Sequence, residues 1–95
     1  MYATVRSYGP SDLVAELRRN EDAVKSLIGS VQGFRAYYLV ESAGGGAVSI
    51  TICDDQAGAE ESNAVAAGWI RENLGGMTIP PPSITAGEVV FSANA

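Results

Sequence analysis

The sequence predicts an α+β fold in which a four-stranded antiparallel sheet carries two helices on one face. The order of β-prone and helical segments is βαββαβ, and the two middle strands are adjacent in sequence as a hairpin. The chain has 95 residues, of which 46% are hydrophobic. That length predicts one domain over residues 1–95 with a single core.

The first part of the chain predicts a strand followed by a helix. Residues 2–7 favour a strand that stops at Gly9-Pro10, a strong turn signal. Apolar residues then recur at helical spacing: Leu13, Val14, Leu17, Val24, Leu27, Ile28 and Val31. The polar stretch at 18–22 predicts a kink or break in this helix near Asn20.

Residues 34–53 predict a β-hairpin whose turn is SAGGG at 42–46. Side chains of a strand alternate between the two faces of a sheet. Alternation divides the first strand of the hairpin into two rows: Phe34, Ala36, Tyr38 and Val40, and Arg35, Tyr37, Leu39 and Glu41. Neither row is polar throughout, so we expect both faces of the sheet to be covered.

The second part of the chain predicts another helix and a last strand. The helix spans 54–74 and ends at Gly75-Gly76. MTIPPP at 77–82 cannot continue a helix, because proline removes an N–H donor and fixes φ, and we interpret it as an extended connector. ITAGEVVF at 84–91 makes the last strand, and the final residues form a frayed tail.

Two helices cover only one face of such a sheet, which would leave the other face apolar and exposed. Its members would be Tyr37, Leu39, Val89 and Phe91, or alternatively Phe34, Tyr38, Ile50, Ile52 and Val90. Exposed apolar patches of this size mark interfaces. A second copy packed sheet to sheet about a two-fold axis is the simplest cover, so the sequence predicts a homodimer.

Composition limits the partners and the location of the protein. The net charge of -5 at pH 7 argues against nucleic acid and anionic membrane surfaces as partners. No apolar run reaches the roughly 18 residues of a membrane span, and the N-terminus lacks a signal-peptide pattern. The single cysteine, Cys53, cannot form an internal disulfide. These features together predict a cytoplasmic protein.

Three stretches resemble the antibiotic-biosynthesis monooxygenase-like family of the dimeric α+β barrel (ferredoxin-like) superfamily. They are GFRAYYLVES at 33–42, SITICDDQAGAEESN at 49–63 and AAGWIREN at 66–73, and the resemblance covers nearly the whole chain. It implies a homodimer with joined sheets and a pocket between sheet and helices in each subunit. In characterised relatives that pocket holds a flat aromatic substrate or haem, oxidised by O₂ without a separate flavin or metal, or by the haem itself.

Six residues are candidates for a ligand site: Trp69, Asn73, Asn63, Arg6, Tyr37 and Tyr38. Relatives that oxidise polyketide-type phenols are similar in having an Asn and a Trp one helical turn apart, a spacing that only Trp69 and Asn73 have here, in reversed order. Asn63 lies about 240° round the helix from Trp69, and we interpret it as a solvated or capping residue. Tyr37 and Tyr38 point to opposite faces, so only one of them can line the pocket.

Two functions remain open. One is a cofactor-independent monooxygenase of a small aromatic or quinol-like metabolite, with hydrogen-bond donors that hold an oxyanion in a dry cavity. The other is a non-catalytic dimer that binds a small ligand or has a structural role. The chain has no histidine, so the haem-degrading activity of some relatives is not expected, and neither a cofactor nor a metal is predicted. Because AVAAG at 64–68 gives the second helix small side chains beside Trp69, we expect any ligand site to lie between this helix and the sheet, with Trp69 on its wall. The alternative is that the small residues pack closely on the sheet and that Trp69 belongs to the core.

Overall fold

The computed structural model describes residues 1–95 and contains four strands and three helices. Their bounds are β1 (Tyr2–Tyr8), α1 (Leu13–Arg19), α2 (Glu21–Gly29), β2 (Phe34–Glu41), β3 (Ala47–Cys53), α3 (Gln56–Asn73) and β4 (Ser83–Glu88). The sheet has the order β2-β3-β1-β4, and each pair of neighbours is antiparallel. The predicted βαββαβ order is confirmed. None of the three helices combines the length and the hydropathy that a membrane crossing requires.

Asn20 divides the first helical segment into α1 and α2, as the polar residues around it indicate. Its amide nitrogen donates to the Leu17 carbonyl at 3.2 Å, and its Nδ2 donates to the Glu16 carbonyl at 2.8 Å. Its own carbonyl accepts from the Val24 amide at 2.9 Å. Asn20 therefore satisfies carbonyls at the end of α1 and is the first acceptor of α2.

The apolar core lies between the sheet and the helices. Its buried members are Tyr8, Leu13, Val14, Leu17, Val24, Ile28, Ala47 and Leu74. Half-buried residues of the sheet and of α3 pack against them, among them Tyr37, Leu39, Trp69 and Ile70. Burial of this apolar surface holds the two short helices on the sheet.

A β-bulge at Arg35 changes the faces of β2. The pairs Phe34–Cys53 and Ala36–Ile52 are consecutive in the ladder, so Arg35 is one extra residue in β2. Phe34 therefore lies on the same side as Cys53 and packs against the core. The expectation from simple alternation, that Phe34 shares a face with Ala36, is wrong.

The last strand ends three residues earlier than predicted. β4 ends at Glu88, and one further backbone bond joins the Val89 amide to the Met1 carbonyl at 2.9 Å. Val90 and Phe91 lie beyond the end of β1 and have no neighbouring strand to pair with. They are 87% and 90% exposed.

The two faces of the sheet differ in polarity. Four polar side chains from β1 and β3 point toward the helices and form what we call the polar row: Thr4, Arg6, Ser49 and Thr51. The opposite side, which we call the free face, carries Ala3, Val5, Ala36, Tyr38, Val40, Val48, Ile50 and Ile52. The helices thus cover the more polar part of the central strands and leave an apolar face without cover.

Candidate functional site

The polar row is assembled by the register of the two central strands. Thr4 pairs with Thr51, and Arg6 pairs with Ser49, so the four side chains lie next to each other under α3. None of the four residues is more than 3% exposed. Because water cannot reach them freely, their hydrogen bonds have to be made inside the protein.

Arg6 is a buried cation without an acidic partner. The residue is 2% exposed, and its Nη2 donates to Thr51 Oγ1 at 3.4 Å. Every ion pair of the chain involves other residues, and Arg6 Nε has no hydrogen-bond partner. A buried charge that is not neutralised carries a large desolvation cost. Arg6 can therefore stabilise an anion that enters its surroundings.

Asn63 connects α3 to the polar row. Its Oδ1 accepts from Arg6 Nη1 at 2.6 Å and from Thr4 Oγ1 at 3.0 Å. The interpretation of Asn63 as a solvated or capping residue is wrong, because its side chain is directed at the sheet and is half-buried. A neutral amide oxygen orients the guanidinium of Arg6 and leaves its charge in place.

Two tyrosines lie close to Arg6. Burial raises the pKa of Tyr8, and the positive charge of Arg6 lowers that pKa by a smaller amount. Burial likewise raises the pKa of Tyr37, and Arg6 again opposes the effect. Both phenols are therefore protonated at neutral pH and are available as hydrogen-bond donors.

A small cavity, which we call the central cavity, lies between these residues and the helices. Its volume is about 30 Å³, and its lining residues are Arg6, Tyr8, Leu17, Val24, Leu27, Ile28, Tyr37, Ser49, Ala66, Trp69 and Ile70. Two buried polar atoms of side chains lack a partner in this structure, Arg6 Nε and Ser49 Oγ. Both belong to residues that line this cavity.

Arg6 also borders a larger cleft of about 260 Å³, which we call the proline cleft. It is lined by Arg6, Tyr8, Asn63, Ala67, Ile70, Ile79, Pro80, Pro81, Pro82 and Ile84. One end is therefore polar, and the connector between α3 and β4 supplies apolar walls. Arg6, Tyr8 and Ile70 border both the proline cleft and the central cavity.

A third space of about 260 Å³ lies between α1, α2 and β2. Its lining residues are Leu17, Arg18, Glu21, Val24, Lys25, Tyr37 and Leu39. The charged groups at its mouth are already paired in part, because Lys25 Nζ lies 2.6 Å from Glu21 Oε2. It contains neither Arg6 nor any other member of the polar row.

The structure brings some of the six predicted site residues together and separates others. Arg6, Tyr37 and Trp69 line the central cavity, and Asn63 joins Arg6 in the proline cleft. Tyr38 is 59% exposed on the free face, so Tyr37 is the tyrosine of that pair that faces the helices. Asn73 lies at the exposed end of α3, where its Nδ2 donates to the Trp69 carbonyl at 3.0 Å.

Neither Ser49 nor Tyr8 is among the six site residues that the sequence predicts. A signal for Ser49 exists in β3, where small or polar residues alternate with Val48, Ile50 and Ile52. Such alternation is usually read with the apolar row toward the helices. Here the apolar row faces away, and Ser49 and Thr51 face the cavity side.

Comparison with known proteins supports the fold. No protein-family model and no curated protein matches the chain. The solved structure of Rv0793 from Mycobacterium tuberculosis is 24% identical, covers 98% of both chains and has a TM-score of 0.71. The monooxygenase ActVA-Orf6 of Streptomyces coelicolor, in complex with nanaomycin D, is 16% identical, with a TM-score of 0.72 over 99% of this chain and 91% of that chain.

SnoaB, a cofactor-independent oxygenase from Streptomyces nogalater, is 13% identical, with a TM-score of 0.61 over 96% of this chain and 94% of that chain. These neighbours include proteins of the antibiotic-biosynthesis monooxygenase-like kind that the sequence resembles. At these identities the likeness shows that the ferredoxin-like fold is shared.

The buried tyrosines lead to a prediction for alkaline pH. The pKa values of Tyr8 and Tyr37 are raised in the folded state, so the unfolded chain loses these protons first, near its ordinary pKa of about 10. The free energy of unfolding should therefore fall as the pH rises from about 10 through the raised values. Urea denaturation between pH 8 and 11 measures this slope.

Tyr8→Phe and Tyr37→Phe should each make that slope shallower, because phenylalanine has no proton to lose. Cys53 and Lys25 also have raised pKa values, but they contribute equally to the wild type and to both variants. A slope that is unchanged in both variants would contradict the assignment of Tyr8 and Tyr37 as buried phenols.

Proposed function

We propose that the protein is a homodimeric, cofactor-independent monooxygenase of a small, acidic aromatic molecule such as a phenol or quinol. The observation that carries this proposal is the buried guanidinium of Arg6, which has no carboxylate partner and borders two spaces. The aromatic ring would occupy the proline cleft, and its oxygen would lie toward Arg6, Tyr8 and Asn63.

Arg6 supplies the electrostatics that such a reaction needs. A desolvated guanidinium favours the ionised form of a neighbouring phenol, so it lowers the pKa of that phenol. Neither the central cavity nor the proline cleft is lined by a carboxylate, a histidine or a cysteine. Lowering the pKa of the substrate makes a side-chain base unnecessary, because the phenol can give up its proton to water on binding.

The ionised substrate can then react with O₂. The phenolate gives one electron to O₂, and the resulting aryloxyl radical, whose unpaired electron is shared with the ring, combines with superoxide to form a C–O bond at a ring carbon that carries hydrogen. The peroxide takes up a proton, and loss of the ring hydrogen with cleavage of the O–O bond yields a carbonyl and water. One oxygen atom enters the product as a quinone and the other leaves as water, so atoms and electrons balance without a further reductant.

The shape of the proline cleft supports an aromatic occupant. Its walls are apolar on the side of Ile70, Ile79 and Ile84, and three successive prolines border it. Ligand sites of this kind are largely apolar with few polar groups that fix orientation. Among the structural neighbours, ActVA-Orf6 was solved with nanaomycin D and SnoaB is described as a cofactor-independent oxygenase, and both descriptions support the same reading.

A dimer that binds an aromatic anion without oxidising it is the second candidate. The walls of the two spaces provide what binding needs, namely a cation, hydrogen-bond donors and apolar side chains, whereas oxidation also depends on proton transfer to water. Binding requires only Arg6, Asn63 and the apolar walls, whereas oxidation also requires that O₂ reach the bound ring. Consumption of O₂ separates the two candidates.

The free face is the proposed interface of the dimer. Its apolar residues are side by side in the ladder, with Tyr38 opposite Ile50 and Val40 opposite Val48. Tyr38 and Val40 are 59% and 45% exposed in the single chain. A second copy packed on this face would bury both apolar rows at once and would remove them from water.

Tyr38→Asp should dissociate or unfold the dimer, because an unpaired carboxylate buried between two sheets costs several kcal/mol. Light scattering after size exclusion should give twice the chain mass of 9.8 kDa for the wild type. Ala64→Asp adds the same charge at an exposed position of α3 and should remain dimeric. A folded wild-type monomer, or a Tyr38→Asp dimer of wild-type stability, would contradict this interface.

Arg6→Met should weaken the binding of 1-naphthol roughly 10- to 150-fold, since a hydrogen bond to a charged group is worth about 1.5–3 kcal/mol. Arg6→Lys keeps the charge and should lose less. Isothermal titration calorimetry measures the affinities, circular dichroism checks that each variant is folded, and an oxygen electrode measures turnover to the quinone.

The matched ligand is 1-methoxynaphthalene, which has the same ring and cannot ionise. We expect it to bind weakly and to consume no O₂. If it bound as tightly as 1-naphthol, or if Arg6→Met bound 1-naphthol like the wild type, the role of Arg6 would be refuted. Tight binding of 1-naphthol and related quinols without O₂ consumption would select the non-catalytic dimer.

A further inference from the structure

The central cavity is too small for the proposed aromatic substrate, and its wall contains polar groups that this substrate would not contact. Its volume is about 30 Å³, whereas an apolar cavity that accepts benzene measures about 150 Å³. Most of its wall is hydrocarbon or aromatic, and Arg6 and Ser49 are its two residues that are neither. An aromatic ring therefore does not fit, but a molecule of two heavy atoms does.

We infer that the central cavity is the dioxygen-binding site of this protein, separate from the proline cleft that receives the aromatic substrate. The inference rests on the proposed function, since it assigns the place of the second substrate. The site then has two subsites: the proline cleft binds the flat aromatic anion, and the central cavity binds O₂.

The polarity of the walls matches the change that O₂ undergoes. Neutral O₂ makes no strong hydrogen bonds, and it enters an apolar cavity without loss of solvation. After it accepts one electron it is an anion and needs donors. Arg6 Nε and Ser49 Oγ are both buried and make no hydrogen bond of normal geometry within the protein, although Ser49 lies close enough to the Tyr37 hydroxyl to lower its pKa. Together with the hydroxyls of Tyr8 and Tyr37, these groups supply the donors needed for superoxide in a wall that is apolar elsewhere.

The two subsites meet at Arg6. Its guanidinium borders the central cavity and the proline cleft, so the substrate anion and the superoxide formed from O₂ would lie beside the same positive charge. Electron transfer then moves one negative charge from the substrate anion to O₂, and both lie beside Arg6. Because the donors are already in place, little reorganisation accompanies this step.

Two neighbouring alanines of α3 provide a matched pair of variants. Ala66 lines the central cavity and not the proline cleft, whereas Ala67 lines the proline cleft and not the central cavity. Replacing either by valine adds the same two methyl groups. Ala66→Val should fill the gas site, and Ala67→Val should narrow the aromatic site.

Trp69 reports on the cavity without any substrate, because it is the only tryptophan and lines the central cavity. We expect O₂ to quench its fluorescence, and the quenching constant should fall by about twofold or more in Ala66→Val while Ala67→Val keeps the wild-type value. Acrylamide, which is too large for the cavity, should quench all three proteins equally. Equal O₂ quenching in the wild type and Ala66→Val would overturn the inference.

A crystal of the wild type under xenon pressure tests the site independently of any variant. A xenon atom bounded by the apolar side chains of Ile28, Ala66 and Trp69 is expected, because xenon binds in apolar surroundings inside proteins. A cavity that instead keeps a water on Arg6 and Ser49, or that holds no xenon, would overturn the inference. Failure of the proposed oxygenase would show separately, as the absence of O₂ consumption with 1-naphthol while xenon and O₂ still enter the cavity.

Discussion

Burial of the Arg6 charge between the sheet and α3 is the constraint on which the rest of the structure depends. The guanidinium points toward the helices from a central strand, where water has little access, and it is held by Asn63 and Thr51 and not by a carboxylate. An aspartate at either position would neutralise it and remove its capacity to bind an anion. The arrangement therefore keeps a destabilising buried charge in place, which fits the anion binding proposed above. The apolar core formed with α1 and α2, whose residues Leu17, Val24 and Ile28 line the central cavity together with Arg6, offsets this cost.

The same constraint accounts for the distribution of side chains over the sheet. Since the polar row occupies the helix side of β1 and β3, the valines and isoleucines of these strands are on the free face. A chain that covered its most apolar face with its own helices would have no room for Arg6 between sheet and helix. The candidate site inside each chain and the proposed contact between chains thus follow from one arrangement. In it, the apolar side chains of β3 face away from the helices and its polar side chains face toward them.

Much of the fold could be predicted from the sequence because its signals are local. Proline and glycine mark the ends of the segments, and the polar stretch around Asn20 marks the division of the first helix. Three features could not be predicted in this way. The bulge at Arg35 depends on the pairing between strands, the end of β4 depends on where β1 ends, and the contact of Asn63 with Arg6 joins residues 57 positions apart. Arg6, Tyr37 and Trp69 were predicted as candidates from their chemistry, whereas Ser49 requires knowledge of which face the helices cover.

The most direct test of the role of Arg6 is to observe its own side chain by NMR. In ¹⁵N NMR spectra the Nε–H signal of Arg6, assigned by its loss in Arg6→Lys, reports whether that group has an acceptor. We expect it to lack one in the free protein, and to change its chemical shift when 1-naphthol binds beside the guanidinium, without the downfield shift of a new hydrogen bond at Nε itself. An Arg6 signal that stays unchanged while 1-naphthol saturates the protein would show that the anion binds elsewhere.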